Sequence, residues 1–328
     1  MATLYLSRKA LYSNLDQLRG KKPHILPVIK DNAYGHGLLP IAHLLKEYGI
    51  ERVVVRSNRE AEAIGSLFRE ILILFPHTGR SYRNFSYTIA SLPQLRKNRH
   101  PYIHLKIDTG MHRSGIAPDE VGEALEIIRQ KELELKGVFT HFCCADEPLH
   151  TDTFSALHRF YRVMEEVNRF CSKFNLPRPY YHWANSAGVE LLPPDQLGDY
   201  IRPGIAIYGG VEGYQPVAKL TGRAILTRKI KPGEGVGYNK TFIAPREMEI
   251  TLVDLGYGDG LPYFRNGAWL KETRALGKIS MDSMVVEGRF EKEVVIFDDV
   301  RQFAQNFDTI TYDILVKLHP RIKRVIVE

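Results

Sequence analysis

The sequence predicts an α/β protein in which an N-terminal (β/α)8 TIM barrel, residues 8–215, is followed by a C-terminal all-β domain, residues 216–328. Two observations support this fold class. In the first two thirds of the 328-residue chain, short apolar runs alternate with segments of helical periodicity, as in β/α units. After about residue 215 the helical periodicity largely ends, and short β-rich runs follow, separated by turns such as Lys231–Gly235.

The barrel prediction depends on eight apolar runs that indicate buried strands. They are Ile25–Lys30, Arg52–Val55, Ile71–Leu74, Tyr87–Ser91, Ile103–Asp108, Gly137–Phe142, Tyr180–Asn185 and Ile201–Tyr208. Amphipathic segments between them predict helices at Leu38–Tyr48, Asn58–Phe68, Pro118–Lys131 and Thr153–Phe174. On pattern alone an open doubly wound sheet is the alternative, but eight evenly spaced units without a GxGxxG segment favour the closed barrel.

The C-terminal domain is predicted from short β-rich runs with little helical pattern. The predicted strands are Ala224–Ile230, Met248–Leu255, Glu272–Gly277, Ser283–Val286, Val294–Phe297 and Arg324–Val327. One short helix is expected near Tyr312–Leu318. Residues 1–7 contain a further predicted strand, Thr3–Ser7, and the sequence leaves open whether it joins the barrel or the β domain.

Composition and charge limit the kinds of partner that the protein is expected to bind. Hydrophobic residues make up 44% and charged residues 25% of the chain, which is typical of a soluble globular protein. The net charge of +7 is spread widely, and its densest basic patches, Arg96–His100 and Arg321–Arg324, carry no interleaved aromatic residues. Three cysteines without a CxxC pair suit a reducing compartment, and no apolar run is long enough for a bilayer. We therefore expect a cytoplasmic protein that binds neither nucleic acid nor membrane.

Lys30 is the first candidate for chemistry. It ends a predicted apolar strand and is followed by Asp-Asn-Ala-Tyr-Gly-His-Gly. Desolvation at such a position favours the neutral, nucleophilic amine, which can form a Schiff base with an aldehyde cofactor. A lone lysine of this kind is usually an ordinary surface residue, so the interpretation needs support from other positions.

The ends of the other predicted strands supply that support, because active sites of such barrels lie at the carboxyl ends of the strands. The side chains expected there are Lys30, Tyr34, Lys106, Asp108, Arg113, His141, His182, Asn185, Ser186 and Arg202. This set has few paired carboxylates, which disfavours a glycosidase, and no spacing that predicts a metal. A cation-rich pocket with one reactive lysine suits a phosphorylated cofactor and a carboxylate substrate.

Several segments together resemble the motifs of alanine racemases, a fold-type III family of pyridoxal-phosphate enzymes. They are Val28–Gly37, Lys106–Arg113, His182–Gly188, Arg202–Gly209, Val236–Tyr238, Gly256–Gly260, Ser280–Asp282 and Thr309–Asp313. They occur in the family's order and span nearly the whole chain. The resemblance implies interconversion of L-alanine and D-alanine by two bases, Lys30 and Tyr238, on opposite faces of the substrate. It also implies a supply of D-alanine for peptidoglycan.

The resemblance further implies a homodimer in which Tyr238 of one subunit completes the site of the other. Lys30 would hold pyridoxal 5'-phosphate (PLP), Arg202 would meet the pyridine nitrogen, His182 would orient Arg202, and His141 would lie against the ring. The family's phosphate contacts correspond to Tyr34, Ser186, Gly204, Ile205 and Tyr312. Substrate contacts correspond to Arg113, Met281, Asp282 and Tyr257, and in many members the lysine at position 106 is carbamylated and holds Arg113.

The sequence departs from the family's pattern at two positions and leaves three alternative functions open. His112 stands where the family usually has glycine, and Arg56 lies in a stretch of usually small residues. A broad-specificity amino-acid racemase would share every catalytic residue, although Tyr312 favours a small substrate side chain. A fold-type III decarboxylase would carry a carboxylate in place of Arg202. A PLP-binding protein without turnover would lack the β domain, and with it Tyr238 and Tyr312.

Overall fold

The computed structural model describes residues 2–22, 24–75, 82–147 and 150–328. The chain forms two compact units. The barrel unit consists of Leu15–Lys30 and Ala42–Gly204, and the β unit consists of Met1–Asn14, Asp31–Ile41 and Ile205–Glu328. The helices Arg8–Lys21 and Leu38–Glu47 contribute residues to both units. Strands are numbered along the whole chain, beginning with β1 (Thr3–Ser7) in the β unit.

The barrel unit is built on a parallel sheet in which each strand pairs with the next along the chain. Its strands are β2 (Arg52–Val55), β3 (Glu70–Ile73), β4 (Phe85–Ile89), β5 (Tyr102–Lys106), β6 (Glu134–Phe139) and β7 (Tyr180–His182). The helices of this unit are Asn58–Ile64, Leu92–Lys97, Val121–Gln130, Asp152–Lys173 and Ser186–Leu191. All four residues of β3 are buried, as expected for a strand covered on both faces.

Two further parallel segments close this sheet into a ring. Val28 pairs with Val54 of β2, Ile25 pairs with Ile201, and Tyr200 pairs with His182 of β7. The backbone hydrogen bonds of the closure include Leu26 N to Ile201 O at 2.8 Å. With β2–β7, these segments make eight parallel staves, and the predicted barrel is confirmed.

The first and eighth staves differ from the predicted strands. Pro27 and Pro203 lack the N–H that a continuous ladder requires, so each segment pairs only at isolated positions. The second half of the predicted strand Ile201–Tyr208 is wrong, because Ile205–Tyr208 form a buried 3-10 helix. An apolar run that is buried on all sides carries no period that distinguishes a strand from a helix.

The β unit contains a larger mixed sheet ordered β12-β13-β14-β11-β8-β1-β16, with β15 also pairing with β8. These strands are β8 (Ala218–Ile230), β11 (Met248–Asp254), β12 (Ala268–Trp269), β13 (Arg274–Leu276), β14 (Met284–Glu287), β15 (Glu293–Phe297) and β16 (Lys323–Val327). A small hairpin joins β9 (Gly235–Val236) to β10 (Phe242–Ile243). The helices Val300–Gln305 and Thr311–Lys317 complete the unit.

The N-terminal strand β1 lies inside the β unit's sheet. It runs antiparallel to β8 and parallel to β16, with Leu4 opposite Leu220 and Arg324. Alternate residues of β1, Leu4 and Leu6, are fully buried, so the strand contributes one face to the core of this unit. Among the described residues, no helix combines the length and the apolar character that crossing a membrane would require.

Candidate active site

Lysines and arginines gather at the carboxyl ends of the barrel unit's strands. Lys30 follows the first stave, and Lys106 ends β5, where its Nζ donates a hydrogen bond to Ser114 Oγ at 2.6 Å. Burial, followed by the positive charges of Arg113 and Arg202, lowers the pKa of Lys106 to about 8, although Asp108 opposes the shift. A fraction of the Lys106 amine is therefore neutral at physiological pH.

Arg202 lies at the carboxyl end of the eighth stave and is buried. Its Nη1 donates to His182 Nδ1 at 2.9 Å and to the His182 carbonyl at 2.6 Å, while Nη2 donates to the Thr140 carbonyl at 2.7 Å. Burial lowers the pKa of Arg202 to about 9, so the guanidinium stays charged at neutral pH. These partners hold its plane in one orientation, and all of them are neutral groups.

His141 follows β6, and its Nδ1 lies 3.4 Å from Arg202 Nη2. Burial, followed by the charges of Arg202 and Arg113, lowers the pKa of His141 to about 3. The imidazole is therefore neutral across the physiological range. A cavity of about 430 Å³ opens beside it, lined by residues that include Thr109, Met111 and Arg159.

Ser186 and Gly204 meet on the same side of the barrel unit. The Gly204 N–H donates to Ser186 Oγ at 3.1 Å. Ser186 begins the helix Ser186–Leu191, whose N-cap is Asn185; the Asn185 side chain accepts from the Gly188 N–H at 2.8 Å. The start of this helix and the segment that contains Gly204 thus place a hydroxyl and a backbone amide together.

The departure at position 112 has a backbone explanation. His112 has φ +54°, in the left-handed region that favours glycine. The turn is held by Asp108, whose Oδ1 accepts from the Gly110 N–H at 3.0 Å and from the His112 N–H at 3.1 Å. These two hydrogen bonds help to hold a non-glycine residue in that conformation, next to Arg113.

In the β unit, the segment after Lys30 forms a left-handed turn. Asp31, Asn32, Ala33 and Tyr34 all have φ between +51° and +58°. Asn32 holds the turn, since its carbonyl accepts from the Gly37 N–H at 2.9 Å and its Oδ1 accepts from the Leu38 N–H at 2.8 Å. This local chemistry explains why Asp-Asn-Ala-Tyr-Gly does not continue the strand.

Gly35 fixes this turn against the helix Thr311–Lys317. A Cβ at Gly35 would lie 1.8 Å from the Leu315 carbonyl oxygen, so no other residue fits without backbone movement. The Tyr34 ring lies 5.9 Å, centroid to centroid, from the ring of Tyr312 on that helix. Burial, followed by the nearby Tyr312 and Asp31, raises the pKa of Tyr34, so Tyr34 remains a protonated hydrogen-bond donor.

His36 is a buried group to which sequence reasoning gave no role of its own. Its Nδ1 donates to the carbonyls of Ala33 and Tyr34, both at 3.1 Å, and its ring stacks on Tyr208 at 4.3 Å. Burial lowers the pKa of His36 to about 4. The Tyr-Gly-His-Gly pattern was the available signal, because a histidine between two glycines can fold back onto its own turn.

Of the other predicted site residues that belong to the β unit, Ile205 is buried in its 3-10 helix and the rest are exposed within the unit. Tyr238 is 67% exposed and follows Gly237, which has φ +70°. Met281, Asp282 and Tyr257 are also exposed. The turn that carries Tyr257 is bound to the turn that carries Met281, since the Gly258 N–H donates to the Met281 carbonyl at 2.8 Å. The structure therefore groups Tyr257 with Met281 and Asp282, and Tyr34 with Tyr312.

Together, the fold and the comparisons with known proteins define a two-domain isomerase. Family models match both parts of the chain: "Alanine racemase, N-terminal domain" over residues 6–212 and "Alanine racemase, C-terminal domain" over residues 217–326. The chain belongs to the alanine racemase family, and its activity is the racemisation of alanine. Enzymes of this family depend on PLP.

Individual relatives agree with this assignment. The chain is 39% identical to the alanine racemase of a Nitratiruptor species, with 99% of each chain covered. It is similar to the crystal structure of alanine racemase from a D-cycloserine-producing Streptomyces lavendulae, with TM-score 0.86, 26% identity, and coverage of 100% and 97%. The Bartonella henselae alanine racemase, crystallised with covalently bound pyridoxal phosphate, shares the fold at TM-score 0.83 and 23% identity, with 99% of each chain covered.

Proposed function

We propose that this racemase interconverts L-alanine and D-alanine by a two-base mechanism, with Lys30 and Tyr238 acting on opposite faces of the substrate. The proposal rests on Arg202, whose charged guanidinium is buried and makes its hydrogen bonds with neutral groups. A cation buried in this way favours an electron-rich acceptor placed against it. In domain terms, we propose a cofactor-binding barrel over residues 8–215 and a β domain over residues 216–328, with residues 1–7 joined to the latter.

The residues of the barrel unit fit PLP. Lys30, Lys106, Arg113 and Arg202 all add positive charge around His141, and Asp108 is the carboxylate that acts on Lys106. An anionic cofactor bound there would relieve this excess. When bound, PLP supplies the electron withdrawal that makes the α-hydrogen of an amino acid acidic. The Lys30 amine would hold the cofactor covalently and then exchange a proton at the substrate α-carbon.

Arg202 would limit how strongly the cofactor withdraws electrons. A guanidinium donates hydrogen bonds but cannot accept a proton from a neighbour. Facing the pyridine nitrogen, it would disfavour protonation of that nitrogen and would weaken the electron withdrawal. We propose that this restrains side reactions such as transamination, and that His182 keeps Arg202 in place.

Neutral donors would bind the phosphate group. The proposed set is Tyr34, Ser186, Gly204, Ile205 and Tyr312. The raised pKa of Tyr34 keeps its phenol protonated, and Gly204 supplies a backbone N–H. His141, neutral at physiological pH, would lie against the cofactor ring without adding charge.

Arg113 would bind the substrate carboxylate, and Lys106 would support Arg113 in modified form. A neutral amine is the form that reacts with carbon dioxide, and the pKa of Lys106 is lowered to about 8. In carbamylation the deprotonated amine nitrogen would bond to the carbon of carbon dioxide and release one N–H proton to water. A cation beside Arg113 would thereby be replaced by an anion that can pair with it. A carbonyl carbon signal from 13C-bicarbonate that is lost in Lys106→Ala would support this modification.

The exposed residues of the β unit motivate a homodimer. Tyr238 and Met281 are 67% and 56% exposed, although the proposed chemistry requires a site that excludes water. We propose that each site is completed by Tyr238 of the partner subunit. Met281 and Asp282 would form a narrow substrate entrance together with Tyr257 and Tyr312. The product D-alanine would serve peptidoglycan synthesis in the cytoplasm.

A racemisation assay tests the proposal. L-Alanine is supplied with L-lysine, L-arginine and L-serine alongside, and α-hydrogen exchange with deuterated water is followed by NMR. We expect alanine to be preferred and Tyr238→Phe to lose racemisation by about 10²–10⁴-fold, the usual contribution of one acid–base group. In that variant D-alanine should still exchange its α-hydrogen through Lys30, whereas L-alanine should not. Equal rates for lysine would favour a broad-specificity racemase, and bound PLP without turnover would favour a binding protein.

A further inference from the structure

A chain of polar side chains crosses the interior of the barrel unit. Glu70 on β3 is 5% exposed, and His104 on β5 and His182 on β7 are fully buried. Barrel interiors are usually filled by branched apolar residues contributed by alternate strands. Burying polar groups there is unfavourable unless they bond to one another, so a continuous polar chain in this layer calls for a physical reason.

The hydrogen bonds of this chain have one possible direction, which begins at Arg202. A guanidinium can only donate, so His182 Nδ1, 2.9 Å from Arg202 Nη1, must accept. Burial, followed by the charge of Arg202, lowers the pKa of His182 well below its ordinary value, so the ring is neutral and its proton is on Nε2. That Nε2–H donates to His104 Nδ1 at 3.0 Å.

The same argument then determines which ring nitrogen of His104 carries the proton. Its Nδ1 accepts, so its proton is on Nε2 and points toward Glu70 Oε1 at 3.0 Å. The Tyr180 hydroxyl lies 3.0 Å from the same nitrogen and donates to Glu70 Oε1 at 3.0 Å. Glu70 Oε1 also accepts from Ser86 Oγ at 2.6 Å, and Oε2 accepts from Arg52 Nε at 3.1 Å. Although burial raises it, hydrogen bonds from His104 and Ser86 bring the pKa of Glu70 well below its ordinary value. The chain therefore ends on a carboxylate.

Gly137 on β6 makes the contact between the two imidazoles possible. A Cβ at Gly137 would lie 2.6 Å from His104 Nδ1, the atom that accepts from His182. The His182 ring is also held by Phe139, which stacks on it at 4.8 Å with 10° between the ring planes. The space for the chain is thus provided by a missing side chain on the strand between β5 and β7.

We propose that Glu70, His104 and His182 form a positioning relay that fixes the orientation of Arg202. The relay would keep Arg202 Nη1, at one edge of the guanidinium, hydrogen-bonded to His182. The negative charge of Glu70 polarises both imidazoles in the same direction, which strengthens the acceptor at His182 Nδ1. The effect of the relay on catalysis rests on the proposed function, in which Arg202 meets the cofactor. The hydrogen bonds of the relay itself are made within this chain and do not depend on the cofactor.

Histidine NMR on the wild-type protein tests the relay without a variant. Long-range proton–nitrogen spectra report directly which ring nitrogen carries the proton. We expect both rings to carry their proton on Nε2 and none on Nδ1 at neutral pH, as the hydrogen-bond directions require. A proton on Nδ1 of either ring, or a doubly protonated His104, would overturn the relay whether or not the protein is active.

Two variants then test its effect on Arg202. Glu70→Gln removes the charge at the far end, and Gly137→Ala breaks the contact between the imidazoles while leaving every polar group present. Loss of an orienting partner typically costs on the order of 10–100-fold in activity. We expect a fall of this size in kcat with little change in KM, together with an altered pH profile of the bound PLP absorbance. Tyr181→Phe on β7 is the matched control, since its hydroxyl bonds to Asn168 at 2.7 Å, outside the relay.

The outcomes separate the relay from the proposed function. If both variants fold, bind PLP and keep the wild-type kcat and spectrum, the relay is overturned and the racemase mechanism stands. If the wild type shows the expected histidine protons but does not bind PLP, the relay stands as structure and the assignment of Arg202 fails. Should both variants misfold, the NMR experiment still decides whether the relay exists.

Discussion

Two pairs of proposed site residues lie in opposite environments, Arg202 and His182 in the barrel unit and Tyr238 and Met281 in the β unit. Arg202 and His182 are buried, and their hydrogen bonds are completed within the barrel unit. Tyr238 and Met281 are mostly exposed within the β unit. A charge that must keep one orientation gains from a rigid, water-excluded setting, which one unit of the chain provides by itself. The exposed phenol has no such setting there, which is why we propose that a second copy provides it.

The largest expected effect comes from the barrel side. Lys30→Ala removes the amine that would hold the cofactor and move the proton on one face. Racemisation should fall by at least about 10⁴-fold, the upper end of one acid–base contribution, because two roles are lost together. Borohydride reduction followed by mass spectrometry should show PLP attached to the wild type and not to the variant. Lys46→Ala, at an exposed position, is the control, and retained activity in Lys30→Ala would contradict the assignment.

A smaller effect is expected on the β side, at Tyr312. Truncation to alanine should widen the space for the substrate side chain, so the preference for alanine over lysine should fall by about 10-fold or more. The ratio of the two kcat/KM values measures this preference. Val316→Ala changes an exposed residue on the same helix and should leave the ratio unchanged. An unaltered ratio in Tyr312→Ala would show that other residues limit substrate size.

A further prediction concerns stability in acid and leaves the site chemistry aside. His36 and His141 have folded-state pKa values lowered to about 4 and about 3, below the ordinary value of 6.5. As pH falls through about 6.5 the unfolded chain binds protons that the folded chain does not, so stability is lost down to about pH 4, roughly 3 kcal/mol for His36 alone. Urea unfolding at several pH values measures this loss.

A control variant isolates the contribution of His36. His36→Gln should unfold with a shallower dependence on pH than the wild type, whereas His150→Gln, at a half-exposed side chain, should keep the wild-type slope. A wild-type stability that does not change between pH 6.5 and 4 would mean that these imidazoles take up protons without unfolding, contrary to the burial argument.

The sequence predicts most of the fold because its strands are strongly apolar runs. β2 is predicted with its observed bounds, Arg52–Val55, whereas β4 is predicted two residues late, because Ala90 and Ser91 continue the run in the sequence although Ser91 caps the next helix. The helix Arg8–Lys21 is absent from the prediction, since its apolar stripe is weak beside its many polar residues. The left-handed turn after Lys30 depends on hydrogen bonds of Asn32 that no hydrophobic period encodes.

The site is predicted where its residues fall in contiguous motifs and is not predicted where it depends on distant partners. Arg202 and His182 belong to recognisable segments, and the structure places them in direct contact. Glu70 and His104 attract no attention in the sequence, because each is a single polar residue in an apolar strand. Their meeting depends on the closure of the barrel and on Gly137, and both are properties of the folded structure.

Mixing two inactive variants tests most directly whether a site takes Lys30 and Tyr238 from different copies. Lys30→Ala and Tyr238→Phe are refolded together, and racemisation is compared with each variant alone. Half of the dimers should be mixed and one of the two sites in each should be intact, so about a quarter of the wild-type activity should return. If mass spectrometry shows mixed dimers but no racemisation returns, both bases come from one chain. That result would contradict a site shared between two copies.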